Sequence, residues 1–252
     1  MIKFAVYGKG GIGKSTICCN ISAALAKKDY KVMQIGCDPK ADSTALLRND
    51  KKIPTVLDSI RDKGNNIGLS DIVFENENGI VCVEAGGPVP GLGCAGRGII
   101  NALEKLEALG AYDVYKPDVV IYDVLGDVVC GGFSMPMRKG FADKVFVVTS
   151  GEKMSRYAAG NICMAVENFK GRGYAKLGGI ILNKRNVKNE DTLVQALVDD
   201  FETKVIGTIE RSEDIQIAEE KAAPVFEVCP ESELVSRFEE LAESIISICG
   251  GE

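Results

Sequence analysis

The sequence predicts an α/β fold, a mostly parallel sheet flanked by helices in one domain over residues 1–252. Short apolar runs rich in β-branched residues alternate with longer segments of helical period, the pattern of parallel strands joined by crossover helices. No internal repeat, low-complexity tract or Pro/Ser-rich linker divides the chain. At 252 residues and 27.0 kDa it can bury a full α/β core, which excludes a small stapled scaffold.

The elements follow in order. Lys3–Tyr7 is the first strand, and after a glycine-rich break the segment Lys14–Lys27 continues at helical period. Lys31–Cys37 is a second strand, closed by Asp38-Pro39. Asn49–Asn78 is rich in Lys, Asp and Asn with weak periodicity, which predicts a surface excursion carrying a short helix near Thr55–Arg61. The strands Gly79–Glu84, Asp118–Val124 and Lys144–Thr149 are each punctuated by glycine or proline, with a helix over Arg97–Leu109 between the first two. Lys153–Lys170 is helical, then Leu177–Asn183 a strand, Asp191–Phe201 a helix, Lys204–Ile209 a strand and Ser212–Lys221 a helix. In the last helix, Glu231–Ile248, the spacing of Leu234, Phe238, Leu241 and Ile245 makes an apolar face that packs on the sheet. Seven strands suit one sheet.

Composition removes whole classes of function. A net charge of -6 and a pI near 5.0 argue against general affinity for nucleic acid or anionic lipid. Histidine is absent, which excludes Ser-His and Cys-His nucleophile pairs, His-ligated zinc and the usual neutral-pH proton shuttle. Nine cysteines are an odd count, and MIKFAVYGKG is not a charged region followed by an apolar one, so reduced thiols and a cytoplasmic location are expected. No apolar run approaches the roughly 18 residues that span a bilayer, so no membrane role is expected.

The clearest motif is Gly8-Lys9-Gly10-Gly11-Ile12-Gly13-Lys14-Ser15-Thr16, between a predicted strand and a predicted helix. In that context it reads as a P-loop. Its glycines turn successive N–H groups toward one anion, the helix N-terminus adds its positive end, Lys14 reaches the β/γ-phosphates and Ser15 ligates Mg²⁺. Lys9 is not needed to hold one nucleotide and can meet phosphate across a dimer interface. Asp38, in Gly36-Cys37-Asp38-Pro39-Lys40-Ala41-Asp42, and Asp123, in Tyr122-Asp123-Val124-Leu125-Gly126-Asp127, end predicted strands where open parallel sheets bind ligands. Asp123 is assigned to magnesium, and Asp38 to positioning the attacking water with Asp127 as its rival. Lys40 joins the nucleotide-binding set; the plainer reading of these carboxylates, Asp42 included, is as turn caps.

Cys94 and Cys130 lie in glycine-rich settings, Gly91-Leu92-Gly93-Cys94-Ala95-Gly96-Arg97-Gly98 and Val128-Val129-Cys130-Gly131-Gly132-Phe133. Glycine flanks leave room for a bulky inorganic ligand and aim N–H groups at sulfide. Two thiolates are half the set a [4Fe–4S] cluster takes, and a twofold axis through the cluster would supply the rest from a second protomer. Cys18, Cys19, Cys82, Cys163, Cys229 and Cys249 read as structural, and Cys37 also stays outside the cluster assignment.

GKGGIGKST (Gly8–Thr16) resembles the deviant Walker A loop of the P-loop NTPases that include partition and septum-site ATPases and the nitrogenase iron protein family. In that group the lysine matching Lys9 contacts nucleotide in the opposite protomer. GCDPKADST (Gly36–Thr44), GGPVPGLGCAGRG (Gly86–Gly98) and DVLGDVVCGGF (Asp123–Phe133) extend the resemblance to the nitrogenase iron protein family and its nitrogenase-like reductase relatives, over nearly the whole chain. Partition and septum-site ATPases lack this cysteine pair.

The resemblance implies a homodimer with one [4Fe–4S] cluster on its axis, MgATP or MgADP in each protomer, and a low-potential ferredoxin or flavodoxin as electron source. Electrons would pass to a larger nitrogenase or nitrogenase-like catalytic component. Asn183 matches the family's adenine-reading asparagine, and Gln216 with Ile209–Ser212 a second base-side region, although Glu210 stands where many relatives have proline. Arg97 matches a docking-surface arginine that some members modify by ADP-ribosylation. The chain stops at Gly250-Gly251-Glu252, where true nitrogenase reductases usually continue into a tail, which turns the expectation toward a nitrogenase-like partner. Two other classes compete: a non-redox ATPase switch, opposed by the Glu-rich last helix and the cysteine pair, and a small-molecule kinase, for which no acceptor pocket or lid is legible.

Overall fold

The short apolar runs fold as the strands of one sheet in a computed structural model that describes residues 1–87, 95–126 and 134–251. The strands are β1 (Ile2–Tyr7), β2 (Val32–Cys37), β3 (Phe74–Glu75), β4 (Val81–Glu84), β5 (Val119–Val124), β6 (Lys144–Thr149), β7 (Lys176–Asn183) and β8 (Val205–Ile209). Their order is β3-β4-β2-β5-β1-β6-β7-β8, every pairing parallel except β3 with β4.

The helices are α1 (Lys14–Ala26), α2 (Val56–Lys63), α3 (Ala95–Ala108), α4 (Ala111–Tyr115), α5 (Lys153–Asn168), α6 (Glu190–Asp200), α7 (Glu213–Glu220), α8 (Val225–Val228) and α9 (Glu233–Gly250). Period-two alternation sorts the strand side chains between two cores. Phe4 and Val6 of β1 join Ile17, Ile21, Phe238 and Leu241 of α1 and α9 on one face. Ala5 and Tyr7 join Ile99, Leu103, Ile162 and Val194 of α3, α5 and α6 on the other.

The seven expected strands form with ends shifted by two residues at most, and the sheet gains an eighth. β3 lies inside the 49–78 excursion and spans two residues, too few to show a period. The four-residue α8 and five-residue α4 also go unread, because neither completes two helical turns.

Candidate functional site

Because β4, β2, β5 and β1 are parallel neighbours, their C-terminal ends open on one edge of the sheet. The phosphate loop leaves β1 there and enters α1 through Gly13, left-handed at φ 96°. The first turn of α1 has neither a side-chain cap nor an acidic residue, so its N–H groups and positive dipole end face the loop. Lys14, only 7% exposed, sends Nζ back to the Lys9 carbonyl at 3.3 Å, and Lys9 itself is half-buried.

Ser15 Oγ donates to Asp123 Oδ2 at 2.6 Å, joining the loop to the end of β5. Asp123 is 3% exposed, and burial raises its carboxyl above the usual range while Lys14 and the hydroxyls of Ser15 and Ser43 pull it down. Asp38 follows Cys37 at the end of β2, the neighbour of β5, and its charge raises the Asp123 carboxyl again; Asp38 Oδ1 accepts from the Lys40 backbone N–H at 2.9 Å, and the Lys40 side chain is exposed. Gly126 lies so close to Gly8 that a Cβ on it would collide with the Gly8 backbone. The segment leading to Asp127 is therefore pressed against the loop. Asp127, Cys94 and Cys130 lie outside the described residues.

On the other side of α1, Asn183 ends β7 and its Nδ2 donates to the Ile12 carbonyl at 2.7 Å. Arg185 Nη2 donates to the Gly11 carbonyl at 2.9 Å, and the buried Glu190 at the start of α6 holds that turn by accepting from the Arg185 and Val187 N–H groups. A cavity of about 240 Å³ follows, lined by Thr16, Asn183, Arg185, Arg211, Gln216 and Glu219 among others. Thr16 Oγ1 donates to Glu219 Oε1 at 2.9 Å across it. Thus Asn183, Gln216 and, from the Ile209–Ser212 region, Arg211 and Ser212 line one cavity, while Arg185 and Glu219 are additions. Glu219 had a signal, since it stands three residues after Gln216 and shares its helical face. Glu210 pairs with Lys184 at 3.0 Å instead.

A larger cavity, about 700 Å³, lies at the opposite end of β7 against Lys170, Tyr174 and Phe201. Parallel sheets bind ligands beyond their C-terminal strand ends, which favours the smaller cavity beside the phosphate loop.

Cys18, Cys19, Cys37, Cys82 and Cys163 are buried, and Cys229 and Cys249 half-buried, all as free thiols. Burial pushes the Cys82 and Cys163 thiols up to about 12, so they stay protonated. Among the described residues no three or more Cys, Asp or Glu gather in a way that could hold a metal ion. No described helix is long and apolar enough to cross a membrane.

Comparison with known proteins follows the same lines. A family model described as 4Fe-4S iron sulfur cluster binding proteins, NifH/frxC family, matches residues 2–249. The chain is 51% identical to the nitrogenase iron protein of Methanococcus voltae over 246 residues, covering 97% of this chain and 88% of that protein. It is 52% identical to the nitrogenase iron protein of Methanospirillum hungatei over 250 residues, covering 98% and 88%. The cell division ATPase MinD of Pyrococcus furiosus superposes with a TM-score of 0.74 at 19% identity, covering 98% of this chain and all of that one, a likeness of fold.

Proposed function

Since the chain belongs to the NifH/frxC family of 4Fe-4S iron sulfur cluster binding proteins, we propose that it is the ATP-dependent reductase component of a nitrogenase or nitrogenase-like system. In this reading it is a homodimer that carries one [4Fe–4S] cluster between Cys94 and Cys130 of each protomer. It takes electrons from a low-potential ferredoxin or flavodoxin and docks on a larger catalytic component. When bound, the cluster supplies a low-potential electron and MgATP a phosphoryl group for transfer to water.

The chain's own residues divide the work at the nucleotide. The uncapped start of α1 and the loop N–H groups receive phosphate, with Lys14 neutralising its charge and Lys9 adding a cation from the dimer partner. Ser15 and Asp123, already hydrogen-bonded to one another, form the magnesium side. Asp38 orients the attacking water, with Asp127 as the alternative, and Lys40 stands beside them. Asn183 and Gln216 read the base.

The observation that carries the coupling is the Ser15–Asp123 hydrogen bond, because Cys130 follows Asp123 by seven residues on one segment. A change in phosphate contacts at Asp123 reaches the cysteine covalently, as in other nucleotide switches. That no three or more described Cys, Asp or Glu gather as a metal site supports Cys94 and Cys130 as the pair that serves the cluster.

Anaerobic purification with iron and sulfide analysis tests the reading, with EPR of the reduced protein before and after MgATP. About two irons per chain are expected, with a nucleotide-sensitive signal that Cys94→Ser abolishes. An iron-free ATPase that cannot be reconstituted would refute it and favour a non-redox switch.

A further inference from the structure

Glu84 ends β4 with 0% exposure and belongs neither to the phosphate loop nor to the base-side cavity. Its Oε1 accepts from the Thr44 backbone N–H at 2.8 Å and from Thr44 Oγ1 at 2.6 Å. Arg48 donates through Nε to Thr44 Oγ1 at 2.8 Å and stands 3.6 Å from Glu84 Oε1. Oε2 has no hydrogen-bond partner among the described residues, and it occupies the space a Cβ on Gly36 would need.

A buried carboxylate with one oxygen unpaired is a poor way to stabilise a core, where an apolar pair of similar volume does as well or better. Its placement gives it another use. Register sets Gly36 of β2 between Asp123 of β5 and Glu84 of β4. The segment leaving β2 then returns with Ser43 hydrogen-bonded to the Asp123 carboxyl and Thr44 to Glu84, so two adjacent residues are held by two different strands. The chain leaving β4 touches the same segment twice more: Ala85 N–H donates to the Gly36 carbonyl at 2.8 Å, and a Cβ on Gly87 would fall 2.6 Å from Pro39 Cβ. That chain runs on toward Cys94.

We propose that Glu84 is a positioning residue that couples the Asp38–Thr44 segment to the chain between β4 and Cys94, giving the phosphate site a second path to that cysteine beside the one through Asp123 and Cys130. The inference rests on the ATP-dependent reading above and adds the residue pair, Glu84 and Thr44, that carries this path. Magnesium and phosphate act on Asp123 and Asp38; Ser43 and Thr44 take up the change; Glu84 passes it to β4. Gly36 is required because any side chain there would displace the carboxylate from Thr44.

Hydrogen exchange of the iron-loaded protein, with and without MgATP, tests this on peptides covering residues 36–50 and 85–98. In the wild type, MgATP slows exchange in both. Glu84→Leu, which removes the acceptor, and Thr44→Val, which removes the hydroxyl donor, keep the slowing at 36–50 and lose it by at least about threefold at 85–98. Their MgATP affinity stays within about threefold of the wild type, since neither residue touches the loop. Glu84→Gln and Thr44→Ser, which keep the acceptor and the hydroxyl, transmit as the wild type does. Thr44→Val carries the test alone if Glu84→Leu does not fold. Wild-type transmission in Glu84→Leu or Thr44→Val overturns the proposal. So does slowing confined to 36–50 in the wild type, which leaves the ATP-dependent reading standing. No response to MgATP in either peptide overturns that reading and this one with it.

Discussion

Lys14 sends its only described side-chain hydrogen bond to the carbonyl of Lys9, at 3.3 Å, although the residue is only 7% exposed. A lysine buried to that extent with one long bond is placed for a stronger acceptor, and phosphate oxygens are the acceptors this loop is shaped to hold. Lys14→Ala is therefore expected to weaken MgATP binding at least about 100-fold, roughly 3 kcal/mol, with iron content unchanged. Titration calorimetry beside an iron assay checks both. Glu84 makes a different prediction at the same scale. Burial raises its carboxyl from 4.5 to about 7, against the opposing pull of Thr44 and Arg48. Between those values the folded chain binds more protons than the unfolded one, so stability falls as pH rises from about 4.5 to about 7 and levels off above. Each pH unit in that window costs at most about 1.4 kcal/mol, and Glu84→Gln removes the dependence. Anaerobic thermal unfolding of both proteins from pH 5 to 8 should show curves that converge or cross as pH falls. Parallel curves would mean that Glu84 does not titrate there.

At the scale of elements, α9 shows how support and site are separated. Leu241 is 1% exposed and packs so closely on β8 that a Cβ on Gly207 would lie 2.8 Å from its Cδ1. Leu241→Ala leaves a cavity there and is expected to cost about 2–5 kcal/mol in urea unfolding. MgATP affinity of the folded protein should stay unchanged, because Leu241 does not line the cavity beside the phosphate loop. The apolar stripe of α9 was legible in sequence because Leu234, Phe238, Leu241 and Ile245 repeat at helical spacing, and all four are buried. The phosphate loop was legible because its spacing between strand and helix is itself the binding device. Arg185 and Glu190 were not: each also acts through a partner that the sheet brings close, Gly11, 174 residues before Arg185, and the Gly151 N–H, which donates to Glu190 at 2.6 Å. Glu84 was hidden for the opposite reason. At the end of an apolar strand a lone glutamate reads as the point where the chain meets solvent, and only the register of β4 with β2 shows that it is covered.

At the scale of the whole molecule, strand order decides what shares an edge. β4, β2, β5 and β1 are consecutive in the sheet and parallel, so the chains leaving them toward Cys94, Asp38, Cys130 and the phosphate loop depart from one end. In the proposed reading nucleotide and cluster chemistry thus start from neighbouring strand ends, and Cys94 and Cys130 are two of the four ligands a [4Fe–4S] cluster takes. A twofold axis is the symmetry that completes such a set with identical subunits, since it presents the same pair twice. The iron-loaded protein is then expected to elute at about twice 27.0 kDa with close to four irons per particle. Cys130→Ser should lose its iron whether or not the two chains remain together, because two remaining thiolates hold a cubane poorly. Size-exclusion with light scattering and iron analysis across the peak decides between this arrangement and its rival. A particle of one chain carrying four irons would require ligands other than Cys94 and Cys130, and the shared site would have to be abandoned.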